Sequence, residues 1–218
     1  MIGSVSPHAV LAAAAEGRLP GWAAVGAARR DHLTRVAGLM KGWAGELELP
    51  PEETERWLAA AYLHDAMKGV APSELRVQVA PKFREWPAPL LHGPGVAARL
   101  RREGVEDSGL LLALQYHTVG HPNFDRVGQA LYMADFLEPG RPPLSGRWVW
   151  ARADAPRDLR AHLRSRMPGE WEAVLLEVAR ARIVAVVQAT RSLHAETAAF
   201  WTKLARGAMT SRGDDRAE

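Results

Sequence analysis

Apolar residues recur along the chain at spacings of three and four, punctuated by proline and glycine, and no run shows the β-branched alternation of a strand. The pattern predicts an all-α fold. Ser6-Pro7 opens a short alanine-rich helix that stops near Gly17 to Pro20, and a second helix is expected from about Trp22 to Trp43. Pro51 with Glu52 and Glu53 marks a third start, because proline is tolerated in a helix's first turn and acids there complement the N-terminal dipole. That helix carries Trp57, Leu58, Ala61 and Tyr62 and is expected to end around Lys68-Gly69, which puts His64-Asp65 in its last turns. Shorter helices are predicted at about Pro72 to Val79, Pro94 to Arg102, Ser108 to His117 and Val127 to Leu137. The last two have near-continuous apolar faces and belong in the core.

A connection rich in proline, glycine and arginine, Glu138 to Trp150, leads into a weaker helical segment and then a long C-terminal helix from about Glu170 to Leu204. Trp171, Val174, Leu175, Val178, Ile183, Val186, Val187, Leu193 and Trp201 form its apolar stripe, which is expected to pack on the body or on a second copy in a homo-oligomer. The tail from Gly207 is polar and expected to be disordered. The expected organisation is one domain, 1–206, with a body at about 22–141 and a C-terminal helical segment at about 151–206, followed by the tail 207–218.

Composition narrows the chemistry. The 218 residues are 47% hydrophobic and 24% charged, the balance of a folded globular chain. Cysteine is absent, which excludes disulfides, thiolate zinc sites and cysteine nucleophiles, so any metal must be held by imidazole and carboxylate. No segment reaches the ~20 apolar residues of a membrane span and the N-terminus has no basic start, so a cytoplasmic protein is expected. Net charge is only +3, yet Arg141, Arg147, Arg152, Arg157, Arg160, Arg164 and Arg166 fall in one stretch. Arginine forks suit phosphate oxygens, but a solvated basic face is the more ordinary reading of such a stretch. No nucleic-acid module accompanies them, and no nucleic-acid partner is expected.

Six residues carry metal-binding chemistry into core-like segments: His32 in DHLTRV, His64 and Asp65 in LHDAMK, His92 in LLHGPG, His117 in YHTVG and Asp135 in YMADFLEP. A single histidine on an apolar helix is more often a hydrogen-bonded core residue than a ligand. Taken jointly, the polar intrusions need a common cause, and Asp135, set among Tyr132, Met133, Ala134, Phe136 and Leu137, is the most telling of them.

The ordered pattern H…HD…H…H…D resembles the HD-domain superfamily of metal-dependent phosphohydrolases. The words LHDAMK, LLHGPG, YHTVG and LYMADFLEPGRP resemble one branch, the YqeK-like symmetrical bis(5'-nucleosyl)-tetraphosphatases, over roughly Asp31 to Arg141. The resemblance implies an HD-domain helical bundle with two divalent or mixed-valence metal ions, iron favoured and manganese or another transition metal open. It implies that His32, His64, Asp65 and Asp135 hold one metal, and that His92 and His117 hold the second with Asp65 bridging. Two cations about 3.5–4 Å apart deprotonate a bridging water and neutralise the attacked phosphate. The implied reaction is therefore symmetrical hydrolysis of diadenosine tetraphosphate to two ADP by a metal-bridged hydroxide.

Around this set, Lys68 lies four residues after His64, as a catalytic or substrate-binding ammonium or a helix-end lysine complementing the dipole. Thr118, Glu138 and Arg141 are the other candidate substrate-binding residues. His8, His121, His162 and His194 fall on no family motif and are left out. HTVGHP departs from the family's His-Thr-Thr-Gly word, as does Ala66-Met67 from its aromatic-containing pair, and both changes bear on substrate fit. Two alternatives stand beside this reading: another HD phosphohydrolase, a nucleotidase or phosphodiesterase, and a non-catalytic nucleotide-binding regulatory protein.

Overall fold

The computed structural model describes residues 7–151 and 153–214. Arg152 of the arginine stretch, residues 215–218 of the tail and the side chain of His8 lie outside the described residues. Eleven α-helices and two short 3-10 turns make up the regular structure, with no strand among the described residues. None of these helices is long and apolar enough to cross a membrane. By its internal contacts the chain divides into two compact units, Met1–Thr118 with Phe124–Asp135, and Val119–Asn123 with Phe136–Glu218.

The first unit is built around α3 (Pro51–Leu63), which packs against α1 (Pro7–Ala15), α2 (Ala27–Glu46) and α6 (Ser108–Tyr116). Its interior is filled by large apolar side chains spaced as the sequence requires, among them Leu33 and Met40 of α2, Trp57 and Leu63 of α3, and Leu110 and Leu114 of α6. α4 (Pro72–Gln78) and α5 (His92–Arg102) complete this unit with the first ten residues of α7 (Arg126–Leu137).

Two expected boundaries move. α2 begins at Ala27, because Gly26 stands at its N-cap in extended conformation and the backbone of Ala24 is engaged elsewhere. Ala24 donates its N–H to the Ala66 carbonyl at 2.7 Å and accepts from the Gly69 N–H at 2.9 Å. Those bonds hold the segment 64–69 as a series of turns, so α3 stops at Leu63 and His64 is its C-cap.

The second unit holds α8 (Arg147–Trp150), α9 (Leu159–Arg164), α10 (Trp171–Gln188) and α11 (Ala195–Asp214), with α10 packed on α11. The single helix expected from 170 to 204 is thus two helices. Thr190 adopts φ 52, and the N–H groups of Thr190 and Arg191 bond to the carbonyls of Val187 and Val186, closing α10 with a Schellman turn. The break leaves part of the predicted stripe outside the core: Val187 is 59% exposed and Leu193 42%. α11 continues to Asp214, so the segment 207–214, expected to be disordered, is helical.

Candidate metal centre

The six predicted residues come together in the first unit, each at most 7% exposed. His32 projects from α2, His64 and Asp65 follow the end of α3, His92 opens α5, His117 is the C-cap of α6 and Asp135 lies in the last turns of α7. Three of the four histidines are oriented by the same local device. The Nδ1 atoms of His64, His92 and His117 pair with the carbonyls three residues earlier, Ala61 at 2.7 Å, Pro89 at 2.9 Å and Leu114 at 2.9 Å. A carbonyl can only accept, so each Nδ1 carries the proton and each Nε2 turns inward.

The inward nitrogens fall into two pairs. His32 Nε2 and His64 Nε2 are 3.2 Å apart, and His92 Nε2 and His117 Nε2 are 3.1 Å apart. Asp65 divides its carboxylate between them. Its Oδ2 lies 3.8 and 3.7 Å from His32 and His64, while its Oδ1 lies 2.8 and 3.7 Å from His92 and His117. Asp135 Oδ1 joins the first pair at 3.4 Å from His32 and 4.0 Å from His64.

The close approach of His92 to His117 depends on Gly93. A Cβ there would stand 2.5 Å from the Leu114 carbonyl oxygen and 3.2 Å from the His117 ring, so only glycine lets α5 lie this close to α6.

Burial depresses the pKa of His64, and His32 adds to the effect against the opposing pull of Asp65 and Asp135. Burial likewise pushes His117 well down, with His64 and His92 beside it. Both rings are therefore neutral. Burial works against ionisation of Asp65, but the imidazoles around it, His64 first and then His92 and His117, outweigh it and hold the carboxyl well below the usual range. Imidazole nitrogens converging in pairs around an ionised carboxylate form a donor set that a cation completes. Two such groups could hold a metal ion, His32, His64 and Asp65 in one and Asp65, His92 and His117 in the other.

Lys68 does not share a helical face with His64, because the backbone there is a run of turns. Its exposed ammonium lies 3.3 Å from the Pro89 carbonyl and 3.3 Å from His92 Nδ1, beside the second pair. Thr118, half-buried, directly follows His117. Glu138 and Arg141 belong to the second unit, and the helical spacing that would align them with Asp135 is lost because α7 ends at Leu137. There Glu138 is buried and accepts the Gly140 N–H at 2.7 Å, and its carbonyl accepts the Arg141 N–H at 3.2 Å. His121, His162 and His194 fall in the second unit.

Arg29 is the residue that sequence reasoning missed. Its Nη1 donates to Asp65 Oδ2 at 2.7 Å, and with a side chain 36% exposed it stands between the buried cluster and solvent. Its place one helical turn before His32 was the available clue.

The HD domain family model matches residues 29–155. The chain is 34% identical over 123 residues to a symmetrical bis(5'-nucleosyl)-tetraphosphatase of Halalkalibacterium halodurans, covering 51% of this chain and 66% of the relative. It is 29% identical over 119 residues to the Staphylococcus aureus protein of the same name (52% and 60%), and 36% identical over 90 residues to that of Bacillus subtilis (38% and 47%). The chain thus spans less than two thirds of each curated relative. A crystal structure from Clostridium acetobutylicum, described as a predicted HD superfamily hydrolase involved in NAD metabolism, superposes with a TM-score of 0.67. It is 22% identical and covers 84% of this chain and 91% of its own, which shows a shared fold.

Proposed function

Because the chain belongs to the HD domain family, we propose that it is a metal-dependent phosphohydrolase that cleaves diadenosine tetraphosphate symmetrically to two ADP. The observation that carries the hydrolytic reading is the Asp65 carboxylate, whose two oxygens face two separate pairs of buried imidazole nitrogens. The names of the three relatives support the substrate.

His32, His64, Asp65 and Asp135 would hold one cation, and Asp65, His92 and His117 the other. Two cations held there would neutralise charge on the attacked phosphoryl group and lower the pKa of nearby water. Iron is the favoured pair, and manganese suits the same imidazole and carboxylate set.

The remaining residues act on the substrate. Arg29 and Lys68 flank the cluster on opposite halves, Arg29 against the Asp65 oxygen that faces His32 and His64, and Lys68 against His92. In this reading both donate to phosphate oxygens, as guanidinium and ammonium groups do. Thr118, which directly follows His117, is assigned to a further contact with the polyphosphate. Asp65 stays ionised throughout, since a proton on either oxygen would remove its ability to face both pairs. One water is consumed and two ADP leave, so no covalent enzyme intermediate is required. The cysteine-free composition fits a cytoplasmic enzyme.

Metal analysis and product identification on the same purified sample test this reading. Two metals per chain with ADP as sole product supports it. AMP with ATP, or phosphate released from mononucleotides, overturns the substrate assignment, and intact dinucleotide bound to metal-loaded protein overturns catalysis.

A further inference from the structure

The three helices that deliver His64, Asp65, His117 and Asp135 are also joined at a second place. Arg56, two turns before the end of α3, directs its guanidinium at the residues that start α6 and α7. Its Nε and Nη2 form a fork with Asp107 at 2.6 and 3.0 Å, and Nη2 also reaches Asp125 at 2.7 Å. Nη1 is bonded to Glu53 of its own helix at 3.1 Å.

Both aspartates are helix caps as well. Asp107 accepts the Leu110 N–H at 2.9 Å, and Asp125 accepts the Gly128 N–H at 3.1 Å. The join is too tight for a side chain beside it, because a Cβ at Gly109 would overlap the Asp125 carboxylate and the Arg56 guanidinium.

We propose that Arg56 is a positioning residue for the metal centre, and that its contacts with Asp107 and Asp125 set the axial register of α6 and α7 against α3. The proposal rests on the metal-binding reading above. At a rise of about 1.5 Å per residue, His64 stands about 12 Å from the clasp along α3, and His117 and Asp135 about 15 Å along α6 and α7. A helix transmits axial displacement over such lengths with little loss, so a shift at the clasp arrives at the ligands.

Metal-ligand distances tolerate only about 0.2 Å, which makes the centre sensitive to helix register. The planar fork is suited to this task, since sliding either helix breaks a guanidinium contact and loosens a cap together. The two arms also act on different halves of the centre. Asp107 heads the helix that ends in His117, and Asp125 heads the helix that carries Asp135.

Asp107→Asn and Asp125→Asn test this in the full chain, because asparagine caps helices as well as aspartate does and only the charged contact to Arg56 is lost. Each variant is titrated with Mn²⁺ by calorimetry beside a thermal melt, and the two binding steps are assigned with His32→Ala and His117→Ala. Asp107→Asn should weaken the His92 and His117 step about tenfold and Asp125→Asn the His32, His64 and Asp135 step by a similar factor, each sparing the other, while Arg56→Lys weakens both. Unchanged affinities with a lowered melting temperature would show an ordinary stabilising ion pair and overturn the proposal. Equal weakening of both steps by each aspartate variant would overturn it too. A wild-type chain that binds no Mn²⁺ would instead overturn the metal centre itself, and this role with it.

Discussion

Two polar clusters tie α3, α6 and α7 together, and they are built on opposite electrostatic plans. At the clasp, a single cation meets its anions: burial opposes the Arg56 charge, but the hydrogen bonds it donates to Asp107 and Asp125 more than offset it and raise its pKa. Asp107 is held below the usual carboxylate range, burial opposing and the Arg56 bond prevailing. Donors and acceptors there match without any added group. At the other cluster four imidazoles and two carboxylates converge, burial keeps His64 and His117 neutral, and the Nε2 atoms of each histidine pair face one another. A polar cluster that carries its own counter-charge is complete as a structural tie, whereas one that presents converging lone pairs around an anion is suited to a cation.

The sharpest way to break this contrast is Asp65→Ala. It removes the only group shared by both halves of the centre, and the expected result is loss of at least one metal with roughly a thousandfold fall in kcat, about 4 kcal/mol of barrier. A folded variant with two metals and wild-type turnover would falsify the two-metal reading. Gly93→Ala forces a Cβ against the Leu114 carbonyl, an overpacking expected to cost about 1–3 kcal/mol in chemical denaturation and to weaken the His92 and His117 half selectively. Unaltered stability and affinity would mean that α5 yields freely.

Arg29→Ala separates substrate contact from ligand support. Metal content should hold while KM for the dinucleotide rises about tenfold, the low end for a charge-assisted hydrogen bond because the side chain is partly exposed. Loss of metal instead would make Arg29 a support for Asp65.

Acidification gives the smallest effect. His64 and His117 have lowered pKa values in the folded chain, so the unfolded chain binds more protons below the ordinary histidine value of about 6.5, and stability of the metal-free protein falls as pH drops below it. Each histidine contributes at most about 1.4 kcal/mol per pH unit in that window. Asp65 has the same sign at lower pH, its contribution present above the ordinary carboxylate value and lost as pH falls below it. Melting temperatures from pH 7.5 to 5.5 that stay flat would mean that these rings are not held neutral.

Legibility differed between the two clusters. The metal-binding types stood out because histidine and aspartate interrupt apolar helices, as Asp135 does among Tyr132, Met133 and Phe136. Arg56, Asp107 and Asp125 gave no such contrast, since charged residues at helix starts and on helix surfaces are ordinary, and their meeting joins positions 51 and 69 residues apart. The Schellman turn at Thr190 was missed for a related reason: a β-branched residue with positive φ runs against local preference, and the apolar stripe continued past it.

By itself the sequence determined that the chain is helical, where most helices start, and which six residues bear metal-binding chemistry. Periodicity and residue type are local properties, so they survive without knowledge of the fold. Only the tertiary structure decided that Asp65 shares its oxygens between two histidine pairs, that Lys68 lies against His92 rather than His64, and that Arg29 and Arg56 matter at all. Those facts depend on where α3 ends and on how closely helices distant in sequence approach, and both were set by contacts that no single segment contains: the two backbone bonds of Ala24 and the space left by Gly93 and Gly109.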